Sequence, residues 1–261
     1  MPRLGFTKGN NNSIIELIIP DEAITNESRS RVVDDHFALF RCNCAYVKRI
    51  YDLTTGVELI QDEPAFYCDS SPYIIGTHIY ANHFDYNLEN VLPEMADDDS
   101  IYYFTTLLPA KMFDFNPKIK TVNGLRTWTG KYYEWNKNTG KLAVSAYYLN
   151  GNLHGKYKLF HDNGQLREIR NYVHDKPHGI SQLFSKYGVK LLEVNYNHGF
   201  LNGYCYAFIQ HANLIINTTF IDNVCVNGNQ IIATFNNKHL KYIPMNAIYG
   251  HLYKKFIQNT N

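Results

Sequence analysis

From Gly130 onward, glycines and large rings return at fixed places in a background of alternating apolar and polar residues. Written in rows that break before a recurring glycine, the chain reads GKYYEWNKNTGKLAVSAYYLNGNLH, GKYKLFHDNGQLREIRNYVHDKPH, GISQLFSKYGVKLLEVNYNHGFLN and GYCYAFIQHANLIINTTFIDNVCVN. Gly155, Gly179 and Gly203 stand 24 residues apart, and Gly130 precedes Gly155 by 25 because the turn between Asn136 and Gly140 holds one extra residue. A second glycine column, Gly140, Gly164 and Gly188, continues at the same step to Ala212. Tyr148, Tyr172, Tyr196 and Phe220 form an aromatic column at that spacing, and Phe160, Phe184 and Phe208 form another between them. The stretches between rings carry turn residues, His161-Asp162-Asn163-Gly164 and Ser185-Lys186-Tyr187-Gly188 in one register, Asn150-Gly151 and His198-Gly199 in the other. Gly and Asn supply the positive φ of tight reversals. Half a row therefore holds one strand and one turn, for example Gly155–Phe160 followed by residues 165–172. The expected architecture is an antiparallel meander with the Tyr and Phe columns at opposite margins, each row stabilised by its neighbours.

The first 125 residues show no such period. Strands are expected at Ser13–Ile19 and over residues 36–51, with a hairpin near Asp52-Leu53-Thr54-Thr55-Gly56. Eroded rows and a small separate β domain both fit this region. Residues 87–100, with Pro93 and Asp97-Asp98-Asp99, read as a solvated surface loop. At the other end, Ile248, Leu252 and Phe256 have helical spacing, and a short helix there would cap the open sheet edge. The expected fold class is thus mainly β: an elongated antiparallel meander of tandem 24-residue hairpins, preceded by an irregular β-rich region and followed by a capping helix. The division expected is a β-rich region over 1–125, the hairpin array over 126–242 and the cap over 243–261.

Rows with a ring, an Asn-Gly turn, a Leu two residues on and a closing His-Gly or Asn-Gly resemble MORN repeats, most of all the divergent variant of bacterial and giant-virus proteins. The resemblance rests on Asn163-Gly164-Gln165-Leu166, Tyr172 and Pro177-His178-Gly179. Their counterparts are Asn150-Gly151, Leu153-His154-Gly155 and Leu201-Asn202-Gly203. It covers residues 130–228, and the last row departs from it with Ala212 for Gly and Asn227 ahead of Gly228. The resemblance implies an interaction or scaffold role, association with acidic phospholipids or an antitoxin-like grip on a partner. Through the giant-virus variant, it implies a viral protein at work inside a host cell.

Composition narrows the field. Twenty-five Lys and Arg against 24 Asp and Glu leave a formal charge of +1, so no global field draws in nucleic acid, and no nucleic-acid partner is expected. Residues 1–13 lack the apolar run of a secretory leader, and no stretch approaches the length of a spanning helix, so an intracellular, cytoplasmic setting is expected. Five scattered cysteines fit a reducing compartment. Cys42-Asn43-Cys44, with Cys68, His36 and His78 in the same half, lacks zinc spacing and reads as two small buried hydrophobes. Asp34-Asp35-His36 has no nucleophile motif beside it, and phosphate-cradling glycine loops are absent from the sequence. His154 and His178, 24 apart, close their turns or stack as a pH-sensitive or anion-binding ladder.

The expectation is a chain that is not an enzyme and holds no cofactor or metal, acting as a scaffold for an unidentified protein partner. Tyr133, Tyr157 and Tyr206 are candidate exposed contacts, since Tyr concentrates binding energy at interfaces. Lys156 and Lys158, within a basic first pair of rows, are the candidate contacts for acidic phospholipids at a membrane periphery. Open sheet edges favour end-to-end pairing, hence a homodimer.

Overall fold

The computed structural model describes residues 1–65, 72–89, 99–113, 121–122, 125–209, 214–226, 232–235 and 238–240. The expected C-terminal helix, Cys68, Pro93, Asp97, Asp98, Ala212, Asn227 and Gly228 lie outside them. The described protein is mainly β, with antiparallel sheets and one short helix. It divides into two compact units, Met1–Asn116 with Tyr132–Val144, and Pro117–Lys131 with Ser145–Asn261.

The first unit contains β1 (Arg3–Lys8), β2 (Ser13–Ile19), β3 (Leu39–Cys42), β4 (Cys44–Asp52), β5 (Gln61–Asp62), β6 (Tyr73–Ile74), β7 (His78–Tyr80), β8 (Ile101–Phe104) and α1 (Leu107–Met112). Six of the strands form a sheet in the order β3-β8-β1-β2-β4-β7, while β5 and β6 pair separately. Successive residues of a strand point to opposite faces. Ile15, Leu17 and Ile19 therefore join Phe40, Val47, Ile50 and Tyr103 in one core cluster, whereas Ile14 joins Leu39, Tyr102, Phe104 and Ala110 of α1 in another. Both faces of the sheet are covered, which is why β2 is nearly continuous in apolar residues. The single strand expected over 36–51 is broken at Asn43, whose side-chain oxygen and main-chain N–H both bond the main chain of Ile24.

Two guanidinium groups are buried in this unit. Arg41 is fully enclosed, donating to Ser100 Oγ at 3.0 Å and to the Asn87 carbonyl at 2.7 Å, with its cation 4.9 Å from the centre of the Phe84 ring. Arg29 lies over Phe40 and donates to the carbonyls of Asn26, Lys137 and Asn138. Its pKa is lowered to about 10 by burial, against the opposing charge of Glu89. The turn that Arg29 grips is the one with the extra residue. Gly140 there has φ +75, and a Cβ at that position would stand 1.8 Å from the Asp34 carbonyl oxygen. Gly164 and Gly188 share the positive φ but have open space around them, so they are glycines for backbone reasons alone.

Then follow β9 (Thr121–Val122), β10 (Leu125–Arg126), β11 (Gly130–Trp135), β12 (Leu142–Leu149), β13 (Asn152–Leu153), β14 (Gly155–Phe160), β15 (Leu166–Val173), β16 (Lys176–Pro177), β17 (Gly179–Phe184), β18 (Lys190–Asn197), β19 (Phe200–Ile209), β20 (Leu214–Ile221), β21 (Val224–Cys225), β22 (Ile232–Phe235) and β23 (Lys238–Leu240). From β11 the sheet runs β11-β12-β14-β15-β17-β18-β19-β20-β22-β23, with β13, β16 and β21 paired onto β12, β15 and β20. This is a meander in chain order. Register shifts fall at Leu159/Phe160 and again 24 residues later at Leu183/Phe184.

The reversals at one margin are two-residue turns with positive φ at both positions: Asn150-Gly151, His174-Asp175, His198-Gly199 and Asp222-Asn223. Such turns match the twist of the flanking strands, and Asn, Asp, His and Gly are the residues that adopt this backbone region most readily. Each turn also bonds the preceding row. Gly151, Asp175, Gly199 and Asn223 donate their main-chain N–H to the carbonyls of Trp128, Leu153, Pro177 and Leu201 at 2.7 to 3.0 Å. In two rows the bond is reciprocated: Asp175 Oδ1 accepts from the Leu153 N–H at 2.8 Å, and Asn223 Oδ1 accepts from the Leu201 N–H at 2.6 Å. Between them stands Gly199, which has no side chain to accept, and facing it is Pro177, which has no N–H to donate.

Candidate functional site

Pairing in register puts Gly155, Tyr157 and Leu159 on the same face as Tyr172, Arg170 and Glu168, and Ser181 on the same face as Val194. This inner face is the buried one. Tyr148, Tyr172, Tyr196 and Phe220 are all buried on it, as are Leu192, Val194, Cys205 and Ala207. Phe160, Phe184 and Phe208 are half-buried near the opposite ends of the strands. A charged pair interrupts the rings: Glu168 and Arg170 are both buried and joined by an ion pair, and Arg170 also donates to Tyr172 Oη at 3.5 Å. Burial is the largest influence on the Arg170 cation and works against it, yet Glu168 and Tyr172 outweigh it and the pKa is raised. Burial pushes Tyr157 and Tyr196 up to about 12 and raises Tyr172 as well. These phenols stay neutral over the ordinary pH range. Ser181, fully buried, has an Oγ without a hydrogen-bond partner.

The opposite, outward face is where the chain meets solvent. Two columns at the 24-residue step stand beside the two-residue turns on this face. The position after the column glycine is Lys156, then Ile180, then Tyr204; the position after each turn is Asn152, Lys176, Phe200 and Val224. Ile180, Phe200, Tyr204 and Val224 are 52%, 53%, 50% and 66% exposed, and Ile221 and Val226 beside them are exposed too. The first column passes from Lys156 to Ile180 and Tyr204, and the second from the polar Asn152 and Lys176 to the apolar Phe200 and Val224. Such a run of exposed apolar side chains is the feature of this face that most calls for an explanation.

Of the five contact residues expected from the sequence, only Lys156 is exposed; Lys158 is half-buried on the same face. Tyr133, Tyr157 and Tyr206 are half-buried rather than exposed. Tyr157 packs edge-on against Tyr172, Tyr133 lies 5.7 Å from Trp135, and Tyr206 receives the Lys190 cation at 5.4 Å. The rings expected to be free are thus engaged with neighbouring residues. Ile180, Phe200 and Val224 lie outside the aromatic columns and so do not stand out in the sequence by residue type. The 24-residue step through Lys156 and Lys176 leads directly to them.

His154 and His178 both close their turns through the main chain, donating to the carbonyls of Tyr147 and Asn171. Their rings do not pair with one another; His154 meets His174, and His178 meets His198. In the first unit, Asp34, Asp35 and His36 bring their ligand atoms within 4.8 Å of one another, mostly exposed. Cys42 is buried and Cys44 half-buried, and burial raises the pKa of both thiols. Among the described residues, no helix is long and apolar enough to cross a membrane. No known family model and no curated protein matches this sequence.

Proposed function

We propose that the hairpins from Gly130 onward are MORN-like repeats and that the protein is a non-catalytic scaffold whose outward repeat face binds a protein partner. The observation that carries this reading is the pair of exposed columns at Ile180 and Tyr204 and at Phe200 and Val224. They lie in line with Lys156 and Lys176. Apolar side chains held open on a hydrogen-bonded sheet lose little conformational freedom on binding, and partly exposed aromatic anchors are the residues that dominate interface energies. A partner with an acidic segment next to an apolar one complements this face.

The test is affinity purification of tagged full-length protein from its own cells, beside the Phe200→Ser/Val224→Ser variant. Tyr187→Ser serves as control, because Tyr187 is 74% exposed at the opposite margin. A stoichiometric protein lost with the double variant and retained with the control supports the reading; equal recovery from all three removes it.

Association with acidic phospholipids is the second reading, favoured by the exposed Lys156 and Lys176 in those same columns. It requires sedimentation with anionic vesicles that weakens at high salt and disappears in Lys156→Glu/Lys176→Glu. Binding that ignores both changes would exclude it.

A further inference from the structure

Four histidines in the second unit form two pairs, and the pairs repeat. His154 lies against His174 with ring centres 5.3 Å apart and planes at 65°. One row later, His178 lies against His198 at 4.6 Å and 64°. All four are placed by hairpin geometry. His174 and His198 are the first residues of two-residue turns, at φ 50 and φ 47. His154 and His178 immediately precede the positive-φ glycines Gly155 and Gly179.

These ring-centre separations are ones that two imidazoles sharing a metal ion also take. Two imidazoles on one zinc ion, at a Zn–N length of about 2.0–2.1 Å, have ring centres roughly 4.5 Å apart for a right-angled N–metal–N and roughly 5.2 Å for a tetrahedral one. The hydrogen bonding favours the required lone pair in one ring and leaves it open in a second. His198 Nδ1 lies 2.8 Å from Asn197 Oδ1; donation there holds the ring and leaves Nε2 as the bare nitrogen, the arrangement common for metal-binding imidazoles. His154 Nδ1 is buried without a hydrogen-bond partner, so no bond within the protein dictates its tautomer. One contact opposes the site: His178 Nδ1 accepts from the His198 N–H at 3.4 Å, a long bond that is given up when His178 binds through Nε2.

We propose that each pair, His154 with His174 and His178 with His198, is a two-imidazole site for a divalent transition metal of the zinc, nickel or copper class, with water completing the coordination. The pair of sites lies on successive rows of one turn margin. It does not depend on the scaffold reading.

The experiment is calorimetric titration of the full chain with nickel chloride, under reducing conditions at neutral pH, beside the His174→Asn/His198→Asn variant. That variant gives both turns the residue already present at Asn150, which has φ 51, so the turns keep a side chain suited to them. Asp34, Asp35 and His36 are untouched in both proteins. The wild type is expected to take up two more equivalents than the double variant, and each single variant to lose one. Nickel should raise the melting temperature of the wild type and not of the double variant. Equal uptake by wild type and double variant, or no uptake by either, overturns the proposal.

Discussion

Glu168 and Arg170 are two charges on a face otherwise made of rings and aliphatic side chains, only 6% and 4% exposed. Removing one partner strands the other in a poorly solvated place. Arg170→Met is expected to cost about 3 kcal/mol in urea denaturation, and Glu168→Leu/Arg170→Met to recover most of that loss. The neighbouring phenols make a separate prediction. Tyr157 and Tyr196 are raised to about 12 in the folded chain, above the ordinary 10, so the unfolded chain releases these protons first. Their contribution to stability is present in full below pH 10 and is lost as the pH climbs through 12. Phenolate absorbance should show a late-titrating class that Tyr157→Phe and Tyr196→Phe each reduce. The columns to which Tyr172 and Tyr196 belong were legible in the sequence. That Tyr157 faces the same way as Tyr172 and is covered was not, because exposure depends on what packs around a strand.

The two-residue turn is the element that joins one row to the next. Its second residue returns a main-chain bond to the preceding row, and Asp175 and Asn223 add a side-chain acceptor. Asp175→Ala leaves the half-buried Leu153 N–H without that acceptor and is expected to cost about 1 kcal/mol in the same denaturation assay. The row with Pro177 and Gly199 is the internal comparison, since it lacks both the donor and the acceptor. Only Asn150-Gly151 and His198-Gly199 carry a glycine that advertises the turn; His174-Asp175 and Asp222-Asn223 reach the same backbone without one. The 24-residue step from either glycine-bearing turn locates them.

At the scale of the molecule, the first unit recruits Tyr132–Val144 from beyond its own contiguous stretch. That segment supplies the Lys137 and Asn138 carbonyls to Arg29, the Lys137 carbonyl to the Leu39 N–H, and the Thr139 carbonyl to the N–H groups of Val33 and Asp34. The boundary expected at residue 125 leaves this segment out. A fragment of residues 1–116 is therefore expected to melt at a lower temperature than one of residues 1–144, because its Arg29 is left partly unbonded and buried. Equal melting temperatures would show that the segment contributes nothing to the first unit.

The sequence alone determined the hairpins from Gly130 onward, their antiparallel meander and the spacing of their turns. Each of these follows from residues close together in the chain: a two-residue period within strands, and positive-φ residues at a fixed step. It also placed β2 at Ser13–Ile19. Tertiary structure alone decided the strand order β3-β8-β1-β2-β4-β7, because the pairing of β1 with β8 joins Phe6 to Phe104 across nearly the whole first unit and leaves no local period. It decided which face of the hairpins is buried, since alternation assigns residues to two faces without saying which one is covered. It also brought His174 to His154 and His198 to His178, through reversals that set side by side residues lying 20 apart in the chain.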